Sequence, residues 1–437
     1  MYRIIYIFML SFWAAGASIM AQDTVRISKA MVRVKVAENN TALKISEEDV
    51  KQARADYRQT QAVFLPTITA SHTAMATTNP LLAFGSKLNQ EILTQSDFNP
   101  ALLNAPSQIE NFATRLEIQQ PLLHVDGIYR RKAAKSKMEA TALQKQRQAA
   151  YLNFEAEKAY LQLQLAYKGI EVLEKTLEAA RANKQQAENR YAQGYLQKAD
   201  VLAVDVRVTE IENQLLNAKS NVENASNYLS FLMNDTGYVL YEPAEAMEVS
   251  TFAESLETAV PDTRSDIKAM QLASSAYESA YKASKMAFLP RLNAFGSYEL
   301  HDDQLFQGQA NGYTFGAQLS WNIFEGSKRF GEAQKSKSEY EKSKLKASQY
   351  LSQSQLELNK AMRMLHNAEN GLRLTQLALQ QSEESLRIRL NRFKEGLEQT
   401  SDLLWAEANY AQKQLEYYQT LYQLNYAQAY IQFLTKE

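Results

Sequence analysis

The residues that could do chemistry are few and scattered. Four histidines, His72, His124, His301 and His366, stand far apart, with no spacing that would bring two of them onto one metal ion. Cysteine is absent, which excludes thiolate metal sites, a cysteine nucleophile and disulfides. There is no phosphate-binding glycine loop, no nucleophile elbow and no paired histidine motif on a helix. Carboxylates abound, but they alternate with Lys and Arg along helical stretches, as solvated faces do. No active-site constellation remains, so the chain reads as a non-enzyme without cofactor or metal.

What does carry a pattern is duplicated. Arg190-Tyr191-Ala192-Gln193-Gly194 leads to Asp200-Val201-Leu202, and Arg392-Phe393-Lys394-Glu395-Gly396 leads to Asp402-Leu403-Leu404, at an offset of 202 residues. Phe64-Leu65-Pro66 recurs as Phe288-Leu289-Pro290, and Gly127 followed by basic residues recurs as Gly326 followed by Lys328-Arg329. An internal repeat outranks local motifs when a fold is read. The two copies differ in spacing at one place, between Phe-Leu-Pro and the glycine, where the first carries about 25 more residues, as a longer loop on a shared scaffold would.

Elements to position these marks follow from periodicity. Residues 127–193 and 326–395 are rich in Ala, Leu, Gln, Glu and Lys and contain no proline, which predicts two helices that at 1.5 Å per residue each reach on the order of 100 Å. Leu152, Ala156, Ala159, Leu163, Ala166, Ile170, Leu173 and Leu177 alternate steps of four and three, and Leu358, Leu365, Leu372, Leu379, Leu386 and Phe393 fall seven apart, so both helices carry a coiled-coil seam. Shorter helices are expected at 198–233 and 402–434, and others over about 46–63 and 265–287 run into each Phe-Leu-Pro, where proline ends them.

After each Phe-Leu-Pro the period changes to two. Tyr313, Phe315, Ala317, Leu319, Trp321 and Ile323 alternate with polar or small residues, Leu292 to Leu300 form a matching stripe, and Phe112 to Leu122 and the weaker Thr67 to Ala76 supply two more strands. Two hairpins are therefore expected, at about 66–122 and 290–324. Each stripe is long enough for a membrane strand, with aromatic residues toward the ends. Alternation alone leaves a soluble two-faced sheet open. Four strands cannot close a barrel, so a membrane reading requires several chains to share one.

Composition bounds the setting. Residues 1–21 read as a secretory signal, with Arg3, an apolar run and cleavage after Ala21 or Ala17, an uncleaved anchor being the alternative. Net charge is −1 and spread in mixed sign, so there is no basic tract for nucleic acid. The mature chain divides into a first repeat at 22–235, a linker at 236–262 with one small helix, and a second repeat at 263–437.

Signal, then two copies of helix, Phe-Leu-Pro, strand hairpin, long helix, Arg-x-x-x-Gly and helix: over essentially the whole mature chain this order resembles the TolC family of outer-membrane efflux and secretion channels. The resemblance implies a mainly α protein with a membrane β-barrel, in which four strands per protomer form a shared twelve-stranded barrel of a homotrimer in outer-membrane lipid, above a periplasmic tunnel of coiled-coil helices. It implies a passive exit duct for a tripartite efflux or type I secretion system, with a periplasmic adaptor and an inner-membrane pump as partners. Carried over residue by residue, Arg190, Gly194, Arg392 and Gly396 are the expected tip contacts to the adaptor, and Asp200 and Asp402 are candidates for the entrance constriction. Helix C-capping by the glycines and N-capping by the aspartates are the structural alternatives. Trp405, Glu398 and Phe393 depart from the family's gate, where an acid, a base and a tyrosine stand, so a different set of bonds is expected here. The competing function is a periplasmic coiled-coil scaffold without a channel.

Overall fold

A computed structural model describes residues 24–237, 239–249 and 258–436; the expected signal segment lies outside the described residues. In chain order the elements are β1 (Thr24–Ile27), α1 (Lys29–Asn39), α2 (Thr41–Gln59), β2 (Thr67–Thr77), α3 (Pro80–Asn89), α4 (Pro100–Asn104), β3 (Ile109–Leu123), α5 (Val125–Ala192), α6 (Lys198–Met233), β4 (Leu240–Pro243), α7 (Ser265–Met286), β5 (Arg291–Asp302), β6 (Ala310–Ser320), α8 (Lys328–Lys394) and α9 (Thr400–Thr435). The two long helices, α5 and α8, have 68 and 67 residues, and α6 and α9 have 36 each. The duplication in sequence is thus a duplication of structure.

The chain forms two compact units. Of the described residues, one comprises those up to Ser46 with those of 146–264 and 352–436; the other comprises Glu47–Lys145 and Ser265–Leu351.

In the first unit the heptad residues do what their spacing requires. Leu152, Ala156, Ala159 and Leu163 of α5 pack with Val222, Leu229 and Leu232 of α6 and with Val32 and Val36 of α1 into one buried cluster. Leu173, Leu177 and Ala180 meet Val208, Ile211 and Ala218 in a second. Each fully buried aliphatic side chain contributes about 1.5–3 kcal/mol, so these seams, rather than helix propensity, hold the long helices in register. On α8 the seam is complete at Leu358, Leu365 and Phe393, but Leu372, Leu379 and Leu386 stay half-exposed.

The segment read as a linker holds a strand among its described residues, while 250–257, where the small helix was expected, lie outside the described residues. β4 pairs in parallel with β1, and Tyr241 is buried in the α5–α6 core. Four residues are too few to show a period, which is why neither strand is legible beforehand.

The second unit holds a four-stranded antiparallel sheet in the order β2-β3-β5-β6. Its register sorts the faces. Ile68 pairs with Ile118, Leu116 with Tyr298, Gly296 with Phe315 and Leu292 with Leu319, so the apolar stripes of all four strands share one side. The other side carries Ser71, Arg115, Glu299 and Gly312 in one row and Thr69, Glu117, Ser297 and Thr314 in the next. β2 and β6, eleven residues each, are the sheet's two edges.

Candidate functional site

Two features carry function: the turns that join the long helices to their partners, and the sheet. The turns are built alike. α5 and α8 each end with a glycine in the left-handed region, Gly194 at φ +81° and Gly396 at φ +76°. Tyr195 N–H donates to the Arg190 carbonyl and Gly194 N–H to that of Tyr191, both at 2.9 Å; Leu397 donates to Arg392 at 2.9 Å and Gly396 to Phe393 at 3.0 Å. This is the Schellman arrangement, which satisfies carbonyls left free at a helix end. The capping role expected of both glycines is therefore physical fact, whatever else the turns touch.

The aspartates do not act as N-caps. Gln197 and Gln399 occupy those positions, and Asp200 and Asp402 follow three residues later. Asp200 Oδ2 accepts from the Gln197 backbone N–H at 3.2 Å, closing the first turn of α6. Asp402 is half-exposed and faces Arg389, with 3.8 Å between its Oδ2 and Nη1.

The two arginines diverge. Arg190 crosses between repeats: its Nη2 donates to the Lys394 carbonyl at 2.6 Å, and its guanidinium lies 4.8 Å from the centre of the buried Phe393 ring. Arg392 stays within its own turn, bonded to Glu398 at 2.7 Å. Glu398 also takes Arg389 at 2.6 Å, so one well-covered carboxylate clamps two arginines, and Arg389 in turn lies 5.9 Å from the ring of the exposed Trp405. The three departures noted in the sequence are thus parts of the local bonding: Phe393 receives Arg190, Glu398 holds the arginines, and Trp405 flanks them.

Sequence reasoning missed one group nearby. Glu407 of α9 is only 6% exposed. Asn183 of α5 donates to its Oε1, while its Oε2 and the Nε of Arg207 on α6 are both buried without a hydrogen bond. Loss of hydration pushes the Glu407 carboxyl up to about 7, against the attraction of Arg207 and the Asn183 bond. Leu403, Glu407 and Ala411 follow at steps of four, and an acid in the middle of an apolar stripe was the legible sign.

The sheet is the second feature. Leu319, Phe315 and Tyr313 on the apolar face of β6 are all more than half exposed, as are Trp321, Ile323 and Phe324 just beyond it. A soluble sheet would cover such a face; a barrel wall turns it to lipid. The opposite face is laced by charge, with Arg115 3.4 Å from both Glu117 and Glu299, and His301 3.4 Å from Glu299. Among the described residues no cluster could hold a metal ion, and no helix is long and apolar enough to cross a membrane.

The family model described as outer membrane efflux protein matches residues 32–235 and 261–435. The chain belongs to the outer membrane efflux protein family. Solved structures of channel proteins share the fold at low identity. CusC is 16% identical, with 94% of this chain and 92% of that chain covered and a TM-score of 0.81. The CmeC outer membrane channel of Campylobacter jejuni is 18% identical, with 93% and 85% covered and a TM-score of 0.81. The MtrE outer membrane channel of Neisseria gonorrhoeae, in its open state, is 16% identical, with 93% and 89% covered and a TM-score of 0.77. No curated protein matches in sequence at a significant level. As a member of this family the chain is a non-enzymatic outer-membrane efflux channel with a helical tunnel in the periplasm, and the scaffold reading falls.

Proposed function

We propose that three copies of this chain close one twelve-stranded barrel and that the two turns of each copy form its periplasmic entrance, where a periplasmic adaptor docks and links the duct to an inner-membrane pump. The observation that carries the trimer is the open sheet. Four strands with two eleven-residue edges and a lipid-type face are unstable alone, and pairing β6 of one protomer with β2 of the next removes every edge. The half-exposed heptad positions Leu372, Leu379 and Leu386 support further helix packing between protomers.

At the entrance, Arg190, Gly194, Arg392 and Gly396 present the adaptor-facing turns, and a groove of about 750 Å³ lined by Leu377, Ile388, Arg389, Arg392 and Glu398 adjoins the second turn. Asp402, half-exposed, is the better pore candidate, because Asp200 is committed to its helix turn. The sequence holds no nucleotide-binding loop; the pump supplies transport energy and opening consists of a change in helix packing.

The wall is tested by a pair of substitutions. Phe315→Arg, at the middle of β6 on the lipid face, costs about 2–4 kcal/mol. Its neighbour Thr314→Arg, on the lumen face, is tolerated. Heat stability of the extracted oligomer reads both, and equal tolerance at the two positions contradicts the barrel.

A further inference from the structure

The long loop between β2 and β3 is not a free surface loop. It folds into α3 and α4, each begun by an Asn-Pro pair in which the asparagine side chain caps the helix: Asn79 Oδ1 accepts from Leu82 N–H at 3.2 Å and Asn99 Oδ1 from Ala101 N–H at 3.0 Å. Lys87 of α3 bonds Asp97 at 2.7 Å, tying the helix to the rest of the loop. At the end of α3, the amide nitrogen of the buried Gln90 lies within hydrogen-bond distance of three acceptors at the strand ends and shares its two hydrogens among them: the Glu110 carbonyl at 2.7 Å, Asn111 Oδ1 at 3.0 Å and the Asp302 carbonyl at 3.1 Å.

Burial shows which face the loop covers. At this end of the sheet Asn111, His301 and Ala310, all on the polar face, are 7%, 9% and 1% exposed. On the apolar face Glu110 and Asn311 are exposed and Leu300 is half-exposed, while Asp302, 2% exposed, is covered by its own hairpin, Gln304 and Gln309 N–H donating to its carboxylate. Among the described elements, α3 is the loop helix packed on β3. It therefore lies on the polar side, which is the inside of the barrel. This is the end of the sheet opposite the one at which β2 follows α2 and β3 leads into α5. It is the external mouth.

We propose that α3 is an inward-folded plug that narrows the external mouth and sets the size of what passes, with Gln90 as its positioning residue. The inference rests on the trimeric barrel proposed above. Twelve strands spaced about 4.8 Å apart and tilted about 40° enclose a backbone diameter of about 24 Å. A helix with its side chains is about 10–12 Å across, so three inward copies fill most of that bore. Leu81, Leu82 and Leu88 of α3 are exposed in the single chain, which gives the plug an apolar surface toward the axis.

The test is single-channel conductance of the purified protein in planar bilayers, with polymers of graded size added from the external side. Residues 80–104 are replaced by a short Gly-Ser linker in one variant, and Gln90→Met, which keeps length but loses the donors, is the second. Native mass checks assembly of each. The expected result is a several-fold higher conductance and entry of larger external polymers in the shortened channel, with an intermediate gain in Gln90→Met and no change in exclusion from the opposite side. An assembled shortened channel with the conductance and polymer cut-off of the unaltered one overturns the plug; a Gln90→Met channel matching the unaltered one, while the shortened channel opens, overturns the role of Gln90. If the unaltered protein forms no channels in any bilayer, the trimeric duct itself fails and the plug falls with it.

Discussion

The two turns have the same backbone and different side-chain chemistry. Gly194 and Gly396 share left-handed geometry and the same pair of closing hydrogen bonds. Around the first, Asp200 closes the first turn of α6 by accepting from the Gln197 backbone N–H, and the nearby ion pairs are surface links such as Arg181 to Glu212 at 2.7 Å. Around the second, a covered Glu398 holds Arg389 and Arg392, Asp402 faces Arg389, and the buried Phe393 accepts the arginine of the first turn. Duplication conserved what the backbone needs, because a helix end has few ways to close. The coupled charges are concentrated around the second turn, and Glu407 lies on α9 with Asp402.

This asymmetry can be broken in order of effect. The largest change is expected at Glu407. Its carboxyl titrates near 7 in the packed helices and near 4.5 when hydrated, so the packed state binds the proton more tightly. Packing is unpenalised below about pH 4.5, weakens as pH rises toward 7, and is then destabilised by about 3 kcal/mol per chain. Glu407→Gln keeps an acceptor for Asn183 and removes the penalty. Denaturant unfolding should show the variant more stable than the parent at pH 8 and equal to it at pH 4; a gain of the same size at both would show that burial of the charge is not the cause.

Next comes the clamp. Glu398→Ala leaves two arginines without their carboxylate and should cost about 1–2 kcal/mol, the arginines being partly solvated. Arg181→Ala, which cuts the exposed pair on the first hairpin, should cost under about 0.5 kcal/mol. Similar losses at the two sites would erase the distinction between the hairpins. A further pair of changes tests what they share. A methyl group added at Gly194 or Gly396 meets no atom within 4 Å, so only backbone strain is felt. Each Gly→Ala change should cost about 1–2 kcal/mol, by the same amount at both turns.

How much of this was legible depended on how often a signal repeats. The seams at Leu152 to Leu177 and at Leu358 to Leu365 recur over many turns and place the helices and their cores correctly. β6, with alternating Tyr, Phe and Leu, is plain, whereas β2 is written in Thr, Ala and Ser, and its partner β3 decides its register. α3 and α4 were hidden because Asn-Pro signals a turn and a helix start equally well. The bonds of Glu398 and Arg190 were out of reach, since they join residues that only the folded turns bring together. Glu407 was within reach but stood in a stripe read for its apolar members.

The most direct test of the shared barrel is the native mass of the detergent-extracted protein after outer and inner membranes are separated. Three copies in the outer-membrane fraction are expected. A monomer released with the periplasmic contents would contradict it, because a four-stranded sheet with both edges free and its apolar face bare has no place in water.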